Sequence, residues 1–310
     1  GFYHDISRGK IPTLTTMKLL VEKASRYKLN QIQFYVEHVF AFRTHPAIWK
    51  GADVLTPEEV LELDEYARSL HVDLVPSLAS FGHMYEILQN PMYAHLAELR
   101  NFDTSKQPLW KNRMEHHTID VSNEESYTLL AGLFDDYLPN FSSQWFNICC
   151  DETWYLGMDR NKERAGREGQ GELYLGHVLR LCDMVRERGR KVMMWGDILV
   201  KYADLIERLS SDVVLLNWEY GSTVTEKQSA LFGSKNRVFY NCPGVWGWSK
   251  FANTIDSGCK NVRRMVDYGA RYGAKGILNT DWGDYGHINA LAGSFHGMIL
   301  GAALSWNTDG

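Results

Sequence analysis

Nowhere does the chain contain the roughly 18 consecutive apolar residues that a membrane-spanning helix needs. A disulfide framework is missing as well, because the five cysteines are an odd number without metal-ligand spacing. The neighbours Cys149 and Cys150 would face opposite sides of a strand, so buried thiols are expected, which favours a reducing, cytoplasmic setting. The first residues, Gly1-Phe-Tyr-His-Asp-Ile-Ser7, have neither Met nor a basic, apolar, small-residue leader pattern. An excised or processed piece whose flanking domains are missing is therefore expected. There is no internal repeat and no low-complexity linker, so residues 1–310 should form one domain. Net charge is small at -5, and the pI near 6.1 offers no electrostatic reason to expect nucleic acid or an anionic membrane as partner. No spacing calls for a cofactor or a metal, and a homodimer stays open because oligomeric state leaves no mark in the sequence.

What is present in excess is aromatic rings with a polar tip: ten tryptophans and sixteen tyrosines, more than packing of a core requires. Such rings suit a pocket for a ligand with both apolar faces and hydroxyls. The most informative run is Trp145-Phe-Asn-Ile-Cys-Cys-Asp-Glu152-Thr-Trp154, a strand-like segment whose polar end delivers two adjacent carboxylates among tryptophans. Acids at the end of a buried strand suffer desolvation and mutual repulsion, so they usually carry a function. The plainer explanation, a helix N-terminus complemented by Asp and Glu, requires a helix to follow. No apolar helical period begins until about Glu172, which counts against it.

Short β-branched or apolar runs alternate with longer helical patterns along the whole chain. The runs are 2–7, 31–38, 73–80, 145–152, 191–197, 213–220, 237–243 and 276–283. The helical patterns cover 15–27, 57–70, 123–138, 172–188, 202–209, 223–232, 258–272 and 290–305. Thr56-Pro57-Glu-Glu and Ser122-Asn-Glu-Glu place cap residues where helices start. Eight such units predict an α/β fold, a (β/α)8 TIM barrel, with the 100–119 segment as a loop over one face. Chemistry in that architecture gathers at the C-terminal strand ends. The rim then includes Asp5, Arg8, Glu37, His38, Ser80, His83, Asp151, Glu152, Trp195, Asp197, Trp218, Glu219, Tyr220, Tyr240, Trp246, Asp281, Trp282 and Asp284. Stacking rings beside carboxylates and an Arg are what a sugar needs for its C–H faces and its hydroxyls.

At these residues the chain resembles glycoside hydrolase family 20, the β-N-acetylhexosaminidases, and within it the divergent bacterial exo-β-N-acetylglucosaminidase branch. The resemblance runs through Asp5-Ile-Ser-Arg8, 30–38 ending in Glu37-His38, Pro76 to His83, Asp151-Glu152, Met194-Trp-Gly-Asp197, Asn217-Trp-Glu219, Phe239-Tyr240 and Thr280-Asp-Trp282-Gly-Asp284. It implies a retaining enzyme in which the substrate's own 2-acetamido oxygen attacks the anomeric carbon, the substrate-assisted exception to the two-carboxylate scheme. Glu152 would be the general acid and then the base, which requires a raised pKa; Asp151, ionised, would hold the acetamido N–H. Tyr240 would donate to the acetamido carbonyl, Trp195, Trp218 and Trp282 would wall the pocket, and Arg8 with Asp284 would bind distal hydroxyls. His83, with Glu37 or His38 behind it, would orient Glu152. The expected partner is a glycan or glycoconjugate.

Duller roles are open for the same residues: a rim salt bridge for Arg8 with Asp5, a helix cap for His83, and solvated loop positions for His116 and His117. The sequence departs from the family pattern in three places. The usual His-x-Gly-Gly before Asp-Glu is Asn147-Ile-Cys149-Cys150; Cys242 stands two residues after the tyrosine in place of an acid; and Asp284 replaces Glu. Two rival functions remain: a retaining barrel glycosidase using Glu219 or Asp281 as nucleophile, and a sugar-binding barrel without turnover.

Overall fold

The computed structural model of the chain describes residues 1–101 and 117–308, so most of the expected 100–119 loop, His116 included, lies outside the described residues. Its strands are β1 (Phe2–Asp5), β2 (Gln31–Val36), β3 (Asp73–Leu78), β4 (Trp145–Asn147), β5 (Lys191–Trp195), β6 (Val214–Trp218), β7 (Phe239–Cys242), β8 (Gly276–Ile277) and β9 (Asn279–Asp281). All pair in parallel, in the order β8-β7-β6-β5-β4-β3-β2-β1-β9. The last two are halves of one barrel strand interrupted at Leu278. The Leu278 N–H reaches Asn241 O at 3.0 Å and the Thr280 N–H reaches Pro243 O at 2.8 Å, which ties β9 to the end of β7 and closes the barrel. The fold is a (β/α)8 barrel, as the alternation of patterns predicts.

Local chemistry sets the helices. Thr56 caps Pro57–Ser69 with a full capping box to Glu59, Asn123 caps Glu124–Tyr137, Thr13 caps Leu14–Arg26, and Gly273 ends Ile255–Tyr272 in the left-handed conformation. Two elements differ from expectation. Residues 203–208 form a 3-10 helix, and Lys162–Glu168 is a helix that begins ahead of the predicted 172–188 segment. It still starts ten residues beyond Glu152, so the acid pair caps no helix. Among the described residues no helix is long and apolar enough to cross a membrane.

Period-2 alternation sorts side chains into two cores. Tyr3, Tyr35, Val75, Cys149, Met193, Trp195, Leu216, Cys242, Leu278 and Trp282 fill the barrel interior. Phe2, Ile32, Phe34, Cys150, Val192, Met194 and Leu215 pack outward under the helices. Inside, polar groups satisfy one another: Asn147 Nδ2 donates to Gln33 Oε1 at 2.9 Å, and Tyr3 OH meets Ser77 Oγ at 2.9 Å. Each strand stops earlier than the hydrophobic run suggests, and the polar residues past its end form the rim.

Candidate active site

Strand β4 lasts only three residues, and the backbone then turns sharply. Cys149, Cys150 and Glu152 take φ of 60°, 70° and 51°, the left-handed region that disfavours residues with a Cβ. These turns bring Asp151 against Gly82: a Cβ at residue 82 would sit 2.4 Å from Asp151 O, so only glycine fits there. Asp151 is thereby buried at the pocket floor and Glu152 is left half-buried at its side. Asp197, first residue of the short helix that follows β5, accepts the Glu152 N–H at 3.1 Å through Oδ2. Burial, with Asp151 adding repulsion, pushes the Asp197 carboxyl up to about 7.

His83 joins the two acids. Its Nε2 lies 3.3 Å from Asp151 Oδ2 and 3.3 Å from Glu152 Oε2, while its Nδ1 lies 3.2 Å from Arg8 Nη2. Burial alone would drive the proton off the ring; the Asp151 charge outweighs it despite opposition from Arg8, and the pKa is pushed up to about 10. With a guanidinium at Nδ1, the proton the ring holds most firmly is the one on Nε2, facing both acids. His117 Nδ1 accepts the His83 backbone N–H at 2.8 Å and fixes this turn.

Arg8 is almost wholly buried and knits the β1 end to the loop after β9. Its Nε donates to Glu37 Oε1 at 3.0 Å and its Nη1 to Asp284 Oδ1 at 3.0 Å, with Asp5 Oδ2 at 3.4 Å. Asp5 in turn accepts the backbone N–H of Ser7, Arg8 and Gly283. The guanidinium stands 5.0 Å from the Tyr35 ring centre and 5.2 Å from that of Trp282, a cation–π arrangement that orients the indole.

Aromatic walls complete the pocket. Trp218 and Tyr220 stack at 5.1 Å and 18°, Trp248 meets Tyr220 edge-on at 5.0 Å, and Trp282 Nε1 donates to Tyr220 OH at 2.6 Å. The cavity of about 150 Å³ is lined by Arg8, His83, Asp151, Glu152, Trp218, Tyr220, Trp248, Trp282 and Asp284. One flank is acidic and the others are ring faces, which is the surface a pyranose requires.

The profile of the glycosyl hydrolase family 20 catalytic domain matches residues 1–281. The chain belongs to glycoside hydrolase family 20. Hexosaminidase D of Bos taurus is 23% identical over 285 residues, covering 84% of this chain and 78% of that protein; hexosaminidase D of Homo sapiens is 23% identical over 288 residues, covering 84% and 55%. Among solved structures, an exo β-N-acetylglucosaminidase from Vibrio harveyi in complex with N-acetylglucosamine superposes with a TM-score of 0.74 at 16% identity, over 99% of this chain and 54% of that one. This family 20 chain thus spans about half the length of several proteins it matches.

The geometry brings together most of the residues that the resemblance to family 20 implies: Arg8, His83, Asp151, Glu152, Trp218, Trp282 and Asp284 all line one cavity. Glu37 sits behind it on Arg8 and on Tyr35 OH, 3.0 Å away. His38 is half-buried at the start of the next loop, outside the lining set. Trp195 needs correcting: it is fully buried beneath Trp282, 5.7 Å away, and supports the wall without lining it. His117 is also corrected, being buried and hydrogen-bonded instead of solvated.

Tyr240 is the main correction. It is the second residue of β7, paired with Leu216 and Gly276, and lines a separate cavity of about 250 Å³ with Gly1, Gln31, Lys275 and Trp306 at the opposite mouth of the barrel. Strand parity points it inward like Cys242, but one layer too low. The phenol in the pocket belongs to Tyr220, two residues past Trp218, and Trp248 is a wall that the strand-end list omits; the Trp246-Gly-Trp248 spacing after β7 is the signal that marks it.

Two groups of described residues bring donor atoms within 4.8 Å of one another, His83-Asp151-Glu152 and His4-Asp281-His287. The first is the hydrogen-bonded acid site. In the second, on the outer face of the closing seam, His4 Nδ1 lies 3.1 Å from Asp281 Oδ2.

Proposed function

We propose that the chain is an exo-acting, retaining β-N-acetylhexosaminidase that removes terminal β-linked N-acetylglucosamine, or N-acetylgalactosamine, from glycans by substrate-assisted catalysis. The observation that carries this is where the acids lie. Asp151 and Glu152 line the pocket side by side, and the third lining acid, Asp284, is tied to Arg8. Neither candidate for a carboxylate nucleophile lines it: Asp281 is fully buried against His4 on the outer face, and Glu219 lines the neighbouring groove. With Glu219 and Asp281 off the pocket wall and Asp151 paired with His83, the acetamido oxygen of the substrate is the nucleophile this reading assigns.

In this reading Glu152 gives its proton to the leaving oxygen as the acetamido oxygen bonds to the anomeric carbon. It then takes a proton from the water that opens the bicyclic intermediate, so configuration is retained. Asp151, paired with the His83 N–H, accepts from the acetamido N–H and balances the positive charge that develops there. Tyr220 OH accepts from Trp282 and also meets the Thr280 hydroxyl, and in this reading it turns its own proton to the acetamido carbonyl when substrate is bound. Trp218, Trp248 and Trp282 enclose the sugar and its methyl, and Asp284 meets a distal hydroxyl. Arg8 spends most of its donors on Asp5, Glu37 and Asp284, so it holds Asp284 more than it holds the sugar.

Hydrolysis of 4-nitrophenyl N-acetyl-β-glucosaminide beside the plain β-glucoside tests the proposal, because only the first carries the internal nucleophile. N-acetylglucosamine-thiazoline, which mimics the bicyclic intermediate, should inhibit at least about 10²-fold more tightly than N-acetylglucosamine. Equal turnover of both glycosides, or covalent labelling of Glu219 or Asp281 by a 2-fluoro glycoside, refutes it.

A further inference from the structure

At the seam where the barrel closes, on its outer face, three metal-ligating side chains meet. The parallel register sets His4 of β1 beside Asp281 of β9, and His4 Nδ1 lies 3.1 Å from Asp281 Oδ2. His287, from the turn that follows, brings its Nε2 to 4.0 Å from the same oxygen, and the two imidazole centres stand 5.0 Å apart. None of the three residues is more than 3% exposed, and one donor atom from each lies within 4.8 Å of the others.

A shared proton accounts for only part of this cluster. It joins His4 to Asp281, but 4.0 Å is beyond hydrogen-bond reach, so His287 gains nothing from it. Asp281 Oδ1 and His287 Nδ1 have no hydrogen-bond partner among the described residues, a costly state for buried polar atoms. An ion with several bonds to make suits the arrangement better. Two bonds of about 2.0–2.1 Å at a tetrahedral angle set donor atoms roughly 3.4 Å apart. The observed 3.1 and 4.0 Å bracket that edge. Two imidazoles with a carboxylate are ligands for zinc, whereas magnesium and calcium take oxygen ligands. The His4 ring is already held in place, with Phe2 stacked at 6.1 Å and Phe34 edge-on at 6.4 Å. His287 belongs to a surface turn in which Tyr285 and Ile288 are exposed, which gives an ion its way in from solvent.

We propose that His4, Asp281 and His287 form a binding site for a divalent transition ion, zinc by its ligand set, with Asp281 contributing both of its oxygens. The unpaired Oδ1 then completes four contacts. Asp281 and His287 bracket the loop that carries Trp282 and Asp284 into the pocket. An ion anchored on His4 clips both ends of that loop to β1 and so holds the pocket wall, while taking no part in the reaction. No local spacing marks the site, because His4 precedes Asp281 by 277 residues.

The test titrates the whole chain, freed of metal by dialysis against a chelator, with zinc alone, cobalt(II) alone and calcium alone. Zinc should bind at one ion per chain and raise Tm by roughly 5–10 °C at about 100-fold excess over Kd, the shift that mass action gives a chain of this size. Calcium should leave Tm unchanged. Cobalt(II) should show the visible absorption of a tetrahedral ion held by nitrogen and oxygen, without a thiolate charge-transfer band from any of the free cysteines. His4→Gln and His287→Gln, on separate elements, should each weaken zinc binding at least about 10²-fold, since even the outer partners of a metal ligand are worth about 10–100-fold. His95→Gln, at an exposed histidine paired with Glu125, should leave it unchanged. A wild-type chain that takes up no zinc, holds it through thiolates, or holds it as tightly after His287→Gln overturns the site. Stoichiometry and the cobalt spectrum of the wild type decide the matter even where a variant fails to fold.

Discussion

Tyr220 and Tyr240 offer the sharpest test of the site, because the sequence pattern selects one and the geometry selects the other. Tyr220→Phe removes a hydroxyl that accepts the Trp282 indole N–H at 2.6 Å and that, in the proposed mechanism, donates to the acetamido carbonyl. Loss of the first leaves a buried indole N–H unpaired, at a cost of about 1–3 kcal/mol in stability. For a chain of this size that corresponds to a fall in Tm of roughly 2–4 °C per kcal/mol. Loss of the second would, on that mechanism, release the internal nucleophile from its place beneath the anomeric carbon, and misplacement of a reacting group costs on the order of 10²-fold, about 2.7 kcal/mol in the reaction's transition state. The assay is kcat and KM on 4-nitrophenyl N-acetyl-β-glucosaminide together with a thermal melt. Tyr220→Phe should lower kcat about 10²-fold, and thiazoline inhibition should weaken in parallel because the same carbonyl position is probed. Tyr240→Phe, at the far mouth beside Gly1 and Lys275, should leave kcat within about 2-fold, since surface changes away from a site act within about 0.5 kcal/mol. A large kcat loss in Tyr240→Phe with a mild one in Tyr220→Phe would show that the family tyrosine acts from β7 and that the assignment to Tyr220 is mistaken.

Glu152→Gln should lower kcat by roughly 10²–10⁴-fold on a natural glycan and far less on an aryl glycoside, whose leaving group needs little protonation; equal losses on the two, by steady-state kinetics, would remove Glu152 from the acid role. Asp197 predicts a pH-dependent stability. Its carboxyl rises from 3.8 to about 7 in the folded chain, so between those values the native state holds a proton that the unfolded state has released, and stability falls as pH rises through that window. At about 1.4 kcal/mol per unit the contribution is at most about 4 kcal/mol. Asp197→Asn keeps an acceptor for the Glu152 N–H and should flatten the denaturation profile between about pH 4 and 7; an unchanged slope in urea titrations argues against a protonated Asp197.

How far the sequence carries differs by level. Periodicity yields eight strands and the barrel because inward and outward side chains of a closed parallel sheet are both apolar, and Thr56, Asn123 and Gly273 punctuate the helices. The acid pair, Arg8, His83, Trp218, Trp282 and Asp284 are legible because each follows a strand end in order. What periodicity leaves open is axial position within the barrel. Tyr240 and Cys242 have the same parity, so both point inward, but β7 begins at Phe239 and the tyrosine falls in the lowest layer. Trp195 fails for a related reason: it closes β5 inside the barrel, and the ring of Trp282 covers it. His117 is hidden from sequence reasoning because a histidine in a loop is buried here only through a tertiary contact, residues 117–119 docking just beyond the end of β3, where Ile119 N–H meets Phe81 O at 3.1 Å.

The departure from the family pattern before the acid pair has a backbone explanation. Two glycines usually stand where this chain has Cys149 and Cys150, and both cysteines have positive φ, 60° and 70°. The turn shape, not the residue type, is what places Asp151 against Gly82. A side chain in the left-handed region costs roughly 1–2 kcal/mol per residue, and burial of each thiol offsets a comparable amount. Cys149 packs in the barrel interior 3.5 Å from Ser77 Oγ, and Cys150 lies under the helices, 3.9 Å from Ser80 Oγ. Cys150→Gly should therefore change stability by no more than about 1 kcal/mol, trading strain for lost packing. Cys150→Val, similar in volume but β-branched, meets a much steeper barrier to φ of 70° and should lose about 2 kcal/mol or more. Its backbone must also shift toward the extended region, which moves Asp151 and Glu152 and should lower kcat at least about 10-fold. Chemical denaturation and kinetics on the two variants decide the matter: if Cys150→Val retains both the stability and the kcat of Cys150→Gly, left-handed strain does not position the acid pair, and the cysteines owe their place to packing alone.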